Sequence, residues 1–375
     1  MSSLSLNCED VERIPDLRVV NQKHLLSLPE YQYNEEIKAN LLETIKSQNM
    51  APFYEKVCGD LNWTVDEELL EEMKKGNEIA LTYLNETIDN VKASFSTSEV
   101  RDAYMAKAKY LMKIGDKDNA LQACRQAFGH SVATGCKIEN VLACTRLGFF
   151  TYDPNLIERG LSRADDLACT GVDYEKRNRL RIYKGLYGIL IRDFSLASEM
   201  FLNTIATFAC NELMDYTSFI QYTVISAIFS LPRVELKQKI IDDQNILEAL
   251  HQTTESLVEI EKLFRENYIL YPHYQYYIRE MRVKAYVQFL VSYKSLTLDH
   301  MAQAFAVTPE FLEEEIFKCI NAGKIFGKID KISKCIVMTP GVSERRSELF
   351  EEVIKQGDIV LNRVQRLSRI LDYSL

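Results

Sequence analysis

The sequence predicts a mostly α-helical chain: a solenoid of stacked helical hairpins, then a small module of two helices and a two-stranded hairpin, then one long terminal helix. Three observations carry this reading. Polar turns marked by Asp116, Asp153 and Asp193 recur 37 and 40 residues apart between amphipathic stretches of helix length. After Lys294 the apolar spacing changes, and KIFGKIDKISKCIVM alternates as strands do. From Phe350 onward, positions 350, 353, 357, 360, 364, 367 and 371 follow the 3,4 spacing of a heptad, and all but Gly357 are apolar.

Composition narrows the function classes. The 375 residues are 47% hydrophobic and 26% charged, with only 14 glycines and 8 prolines, which excludes collagen-like, mucin-like and mostly disordered chains. That length suits two or three domains. A net charge of −9 disfavours global attraction to phosphate backbones or anionic lipid and leaves room for local basic patches. No apolar run approaches the 18 residues of a membrane span, and the first residues lack a basic and apolar leader, so the expected location is cytoplasm and nucleus. Nine scattered cysteines without a CxxC pair suit a reducing compartment, free thiols and no cysteine-based zinc site.

In order along the chain, residues 1–97 read as an N-terminal helical region. Its first 30 or so residues are irregular, followed by helices in EEIKANLLETIKSQ and DEELLEEMKKGNEIALTYLNETIDNVKAS. Residues 98–293 read as right-handed, TPR-like repeats. Ser98 is placed to cap the first helix and Gly115 to end it, and Ala120, Cys124, Ala127 and Phe128 line one face of its returning partner. Later pairs run about 137–151 with 154–168 and 174–192 with 194–208, each too small to bury its apolar side without neighbours. Helices continue through SFIQYTVISAIF, VELKQKIIDDQNILEALH and SLVEIEKLFREN. Pro272 then starts a helix whose stripe is Tyr274, Ile278, Met281, Ala285 and Phe289. Residues 294–341 form a winged helix: LTLDHMAQAF, a turn, PEFLEEEIFKCINAGK and a two-stranded wing. Residues 342–375 form the terminal helix.

A winged helix suggests DNA reading, but the second helix carries Glu310, Glu313, Glu314 and Glu315 against Lys318 alone, which phosphates would repel. An interaction module is favoured. The tyrosine-rich stretch 268–286, with Arg279, Arg282 and Lys284, offers an RNA-stacking alternative, although aromatics at helical spacing more often pack and Arg279 more plausibly pairs with a carboxylate of a neighbouring helix. A concave groove for peptides is a further alternative. No P-loop, HExxH, GxSxG or GxGxxG string occurs, and the five histidines are isolated. Asp165 and Asp166 point to different helix faces, and most cysteines, Cys124 and Cys144 among them, read as small core hydrophobes. No enzyme activity, cofactor or metal is expected. The terminal heptad would leave its seam in water, which argues for entry into a multihelix bundle over packing back on the winged helix.

Helical hairpins, winged helix and terminal helix is the layout of the PCI domain of proteasome-lid, signalosome and initiation-factor scaffolds. The strings IPDLRVVNQKHLLSLPE, NMAPFYE, NRLRIYKGLYGILIRDFSLASEMFLNTIATF, ELMDYTSF, PHYQYYIREMR, SLTLDHMAQAF and GDIVLNRVQRLSRI resemble the family of non-ATPase regulatory lid subunits of the 26S proteasome numbered seven in yeast and six in human. The resemblance spans nearly the whole chain. It implies a noncatalytic scaffold that supports ATP-dependent degradation of ubiquitinated proteins, with the homologous signalosome subunit as the alternative. It also implies winged helices joined side by side and terminal helices gathered in a bundle. The implied partners are other lid PCI subunits, notably subunit three in the yeast scheme, the small acidic lid subunit, the lid deubiquitinase pair and the ATPase ring, without DNA or membrane. By the same analogy Leu298, Met301, Ala302, Phe305, Phe311 and Ile316 hold the winged helix together, and the strand Lys334, Cys335, Ile336, Val337 and Met338 offers backbone pairing to a neighbour. Phe350, Val353, Val360, Val364, Leu367 and Leu371 enter the bundle.

Overall fold

The computed structural model describes residues 13–93, 97–169, 171–243, 246, 257–339 and 342–372. The chain divides into two compact units, residues 1–275 and 276–375.

The first unit begins with α1 (Leu17–Ser27), α2 (Glu35–Ser47), α3 (Ala51–Leu61) and α4 (Glu67–Ala93). Asp16 and Asn34 cap the first two through their side chains, as short polar residues do at orphan helix N–H groups. The hairpins follow: α5 (Thr97–Ile114) with α6 (Lys117–Gly129), α7 (Thr134–Thr151) with α8 (Pro154–Ala168), and α9 (Tyr174–Leu190) with α10 (Phe194–Leu202). Asp116, Asp153 and Asp193 are the N-caps of the three returning helices, each accepting from a backbone N–H two or three residues on. Gly115 takes φ +84°, the left-handed turn that lets α5 stop and α6 start after two residues. Gly185 has a different reason: a Cβ there would meet the Phe201 ring at 2.4 Å, so α9 and α10 can approach only across a glycine. Ser98 lies inside the first turn of α5 and is not its cap.

Beyond α10 come α11 (Tyr216–Ser230), α12 (Arg233–Leu236, running on into a π turn at Lys237–Ile241) and α13 (Leu257–Glu266). The predicted continuous helix to His251 breaks at Asp242 and Asp243, which are not helical, and residues 244, 245 and 247–251 lie outside the described residues. The N-terminal segment folds back as a strap. Arg13 and Arg18 both pair with Asp215, Asn21 accepts from the Tyr268 N–H at 3.1 Å, His24 meets the Arg265 carbonyl at 3.0 Å, and the Tyr31 hydroxyl donates to Glu266 at 2.5 Å.

Helix α14 (Tyr274–Val291) leads into the second unit. It buries Tyr277, Val283, Tyr286 and Leu290, while Ala285 is exposed and Tyr274, Ile278, Met281 and Phe289 are half-buried. The expected stripe is therefore displaced. This helix is apolar on more than one side, so spacing alone did not choose the face that faces the core. Next come β1 (Ser295–Thr297), α15 (Leu298–Phe305), α16 (Pro309–Asn321), β2 (Gly327–Asp330), β3 (Cys335–Met338) and α17 (Val342–Asp372). The three strands form an antiparallel sheet in the order β1-β3-β2, with Leu296 opposite Ile336 and Ile336 opposite Ile329. Tyr286, Leu290, Leu298, Met301, Leu312, Ile316 and Ile336 make the core of the module.

Candidate interaction surfaces

The winged helix is built first as a core and only then as a surface. Leu298, Met301, Ala302 and Ile316 are buried, and Phe305 packs against them from a half-buried position. Phe311 is exposed and lies under the Arg282 guanidinium at 5.5 Å; the neighbouring Leu312 takes the core position expected of it. One residue along a helix turns the side chain by about 100°, so a one-place register error exchanges core for surface. Arg282 also pairs with Glu315 at 3.2 Å, which accepts from the Tyr286 hydroxyl at 3.0 Å. The cation that reaches a neighbouring helix is thus Arg282; the acidic neighbour of Arg279 is Glu280 on its own helix, at 3.8 Å. Tyr277 and Tyr286 are buried and Arg282 is paired, so these members of the tyrosine-rich stretch pack within the fold, while Tyr271 and Arg279 are exposed.

The expected pairing strand needs correction. Strand β3 is central, bonded to β1 on one side and β2 on the other, and Ile336 is fully buried. Its backbone is spent within the module, so Lys334, Cys335, Ile336, Val337 and Met338 offer no free edge. Lys334 stands outside the strand at φ +50°, with its carbonyl accepting from Leu298. The three-residue β1 was too short to leave an alternating signal, and without it β3 reads as an edge. The open edge on the wing side belongs to β2. Beside it runs a groove of about 910 Å³ between α16 and β2, lined by Phe317, Ile320 and Ile329 and by both charges, Glu310, Glu313 and Glu314 with Lys328 and Lys331, of which Lys331 pairs with Glu313 at 3.0 Å. Phe317, Phe326 and Ile332 are exposed next to it.

Helix α17 is the second surface. Phe350, Val353, Val360 and Val364 are all more than half exposed, as are Leu349, Ile354, Ile359 and Leu361 around them. The side chains of Leu367 and Leu371 lie outside the described residues. An apolar row of this length exposed to water goes beyond the scattered surface hydrophobics of an ordinary monomer.

Sequence reasoning missed a buried ion cluster in the hairpin array. Glu212 accepts from Arg179 at 2.6 Å and from the Tyr183 hydroxyl at 2.8 Å, and lies 3.3 Å from Arg146. Burial alone would raise the Glu212 carboxyl, but the two guanidiniums and the hydroxyl outweigh it and hold it below its usual range. Arg146 and Glu212 are 66 residues apart, too far for any local pattern to join them.

Among the described residues no catalytic constellation converges. Asp165 pairs with Lys184 at 2.6 Å, His130 stacks on Tyr104, and His273 is buried beside Arg192. Among the described residues no group of three or more His, Cys, Asp or Glu side chains could hold a metal. His251 and Cys8 lie outside them. No helix of the described residues is long and apolar enough to cross a membrane.

A helical-hairpin array leading into a winged helix whose third strand closes the wing is the architecture of a PCI protein, and the PCI domain family matches residues 238–340. The 26S proteasome subunit RPN7 family matches residues 66–239, and the RPN7/PSMD6 C-terminal helix family matches residues 351–370. The chain is 38% identical over 378 residues to the 26S proteasome non-ATPase regulatory subunit 6 homolog of Arabidopsis thaliana, covering 96% of this chain and 97% of that protein. It is 30% identical to the 26S proteasome regulatory subunit RPN7 of Saccharomyces cerevisiae, over 95% and 93% of the two chains. Subunit 1 of the COP9 signalosome of Arabidopsis thaliana matches at 24% over 58% of this chain and 52% of its own. The chain belongs to the RPN7/PSMD6 family of 26S proteasome regulatory subunits.

Proposed function

We propose that this chain is a noncatalytic scaffold of the proteasome lid, joined to its neighbours through two surfaces of its C-terminal unit. One is the β2 edge with its partly apolar groove of mixed charge, which would receive the winged helix of another PCI subunit. The other is α17, which would enter a bundle of terminal helices through Phe350, Val353, Val360, Val364, Leu367 and Leu371. The supporting observation is the exposed apolar row of α17: a seam spaced for helix partners, on a chain whose relatives are proteasome regulatory subunits. Partners on this reading are the other lid PCI subunits, the small acidic lid subunit, the deubiquitinase pair and the ATPase ring, in cytoplasm and nucleus.

The test is affinity purification of the tagged chain from its own cells, at physiological salt with nuclease, followed by mass spectrometry. Recovery of lid and ATPase subunits is expected. Recovery of signalosome subunits or of RNA-processing factors instead would overturn the assignment.

A further inference from the structure

The hairpin array holds a basic, apolar-walled cavity that neither surface of the C-terminal unit uses. It is half-open, has a volume of about 190 Å³, and is lined from α6, α7 and α8. Leu121, Val141 and Leu156 make its walls apolar, and Arg125, Arg159 and Arg163 supply its charge. No carboxylate lines it, in a chain whose net charge is −9. Acidic side chains on α7 and α8 are engaged by lysines instead: Glu139 by Lys176 at 3.1 Å, the cap Asp153 by Lys117 at 2.6 Å, and Asp165 by Lys184 at 2.6 Å. Among the described residues Arg125, Arg159 and Arg163 form no ion pair.

Packing holds the cavity open. Asn140, buried on α7, donates to the Cys124 carbonyl at 2.9 Å and so fixes α6 against α7. A Cβ at Gly160 would strike the Thr145 hydroxyl, so α8 approaches α7 as closely as it does only across a glycine. Arg163 lies over the Phe128 ring at 4.6 Å and Lys137 over the same ring at 5.8 Å, which positions two cations beside the cavity without neutralising either. Arg125, Arg159 and Arg163 are all exposed, and their guanidiniums are open to a ligand from solvent.

We propose that this cavity docks an acidic segment of a partner protein: one apolar side chain of the segment enters between α6, α7 and α8, and carboxylates flanking it meet Arg125, Arg159 and Arg163. A cavity of about 150 Å³ takes a benzene-sized group, so this one has room for a single aromatic or branched aliphatic side chain. A guanidinium grips a carboxylate through two parallel N–H···O bonds, which is the geometry three unpaired arginines offer. Complementarity selects the occupant. Negative charge on the segment answers the arginines, and its apolar residue answers Leu121, Val141 and Leu156. A single-stranded nucleic acid would also satisfy the arginines, but its bases need open aromatic faces to stack on, and the lining ring, Phe128, lies beneath Arg163 and Lys137.

The experiment titrates the purified full chain into a fluorescein-labelled peptide of Glu and Asp around one central Phe and reads fluorescence anisotropy. Saturable binding is expected, weakening severalfold as salt rises from about 50 to 300 mM. Arg159→Glu combined with Arg163→Glu should weaken it about tenfold or more, since two exposed charge pairs are lost and replaced by repulsion. Both side chains are exposed, so circular dichroism of the double variant should match the wild type. A peptide with Ser in place of the Phe should bind the wild-type chain severalfold more weakly, a readout that needs no variant to fold. Absence of binding to the wild-type chain would overturn the proposal. So would equal affinity of the folded double variant, equal affinity of the Ser peptide, or tighter binding of a short oligouridine than of the Phe peptide at the same salt.

Discussion

Helices α7 and α17 invert the usual relation between apolar pattern and burial. In α7 almost every residue from Ile138 to Phe150 is buried, polar Asn140, Thr145 and Arg146 included, because α1, α6, α8 and α9 surround it. Its sequence shows little of a one-sided stripe for that reason. Helix α17 carries the most regular seam in the chain, yet every described side chain from Leu349 to Arg366 is exposed. The lesson is that periodicity reports a surface meant for contact, and the fold decides whether the contact is made within the chain. For α7 it is internal; for α17 no described residue covers the row from Leu349 to Arg366.

The sharpest way to break this contrast is to remove α17. A chain ending at Gly341 should keep the circular dichroism and thermal transition of the hairpin array and winged helix while losing lid incorporation almost completely, read by native gel and co-purification. Normal assembly of the truncated chain would end the bundle proposal.

Next in size is a matched pair of truncations. Leu142 on α7 is fully buried, so Leu142→Ala should cost about 2–5 kcal/mol by denaturant unfolding. Val360→Ala on α17 should stay within about 0.5 kcal/mol in the isolated chain, because it removes nothing from the folded interior. Val360→Asp should leave the isolated chain equally stable and still weaken assembly. A large loss of stability from Val360→Ala would mean that α17 packs on its own chain.

Glu212 tests the cluster that α7 helps to enclose. Glu212→Ala leaves Arg146 and Arg179 without their shared carboxylate and should destabilise by about 3–5 kcal/mol. Because its folded pKa is depressed, the stabilisation is fully present above the ordinary carboxyl value of 4.5 and is lost as pH falls through the lower folded value. The wild-type chain should therefore lose more stability than Glu212→Gln over that acidic window, as measured by urea unfolding at stepped pH.

What was legible in the sequence was local. Asp116, Asp153 and Asp193 act on N–H groups two or three residues away, so their spacing announced the hairpins, and the α17 seam repeats within a single helix. What was not legible was carried by distant or very short segments. The strap joins Arg13 to Asp215 across 202 positions. The three residues of β1 turn β3 from edge to centre and move the open edge to β2. Leu312 and Phe311 differ by one place in a helix, and only the packing of α14 against α16 decides between them.

The smallest expected effect bears on those caps and closes the comparison at the level of one residue. Asp153 caps α8 through the Leu156 N–H at 3.3 Å and also accepts from Lys117 at 2.6 Å, whereas Asp116 caps α6 with Asn119 as its side-chain partner. The Lys117 ammonium beside Asp153, joined by the cap bonds, holds that carboxyl below its usual range. Asp153→Ala should cost about 1–2 kcal/mol and Asp116→Ala about 0.5–1 kcal/mol, since the second loses a cap without an ion pair. The difference should shrink in high salt, which screens the partly exposed Lys117 pair and leaves the cap bonds intact. Equal losses at low salt would show that the α6 and α8 turns depend on capping alone.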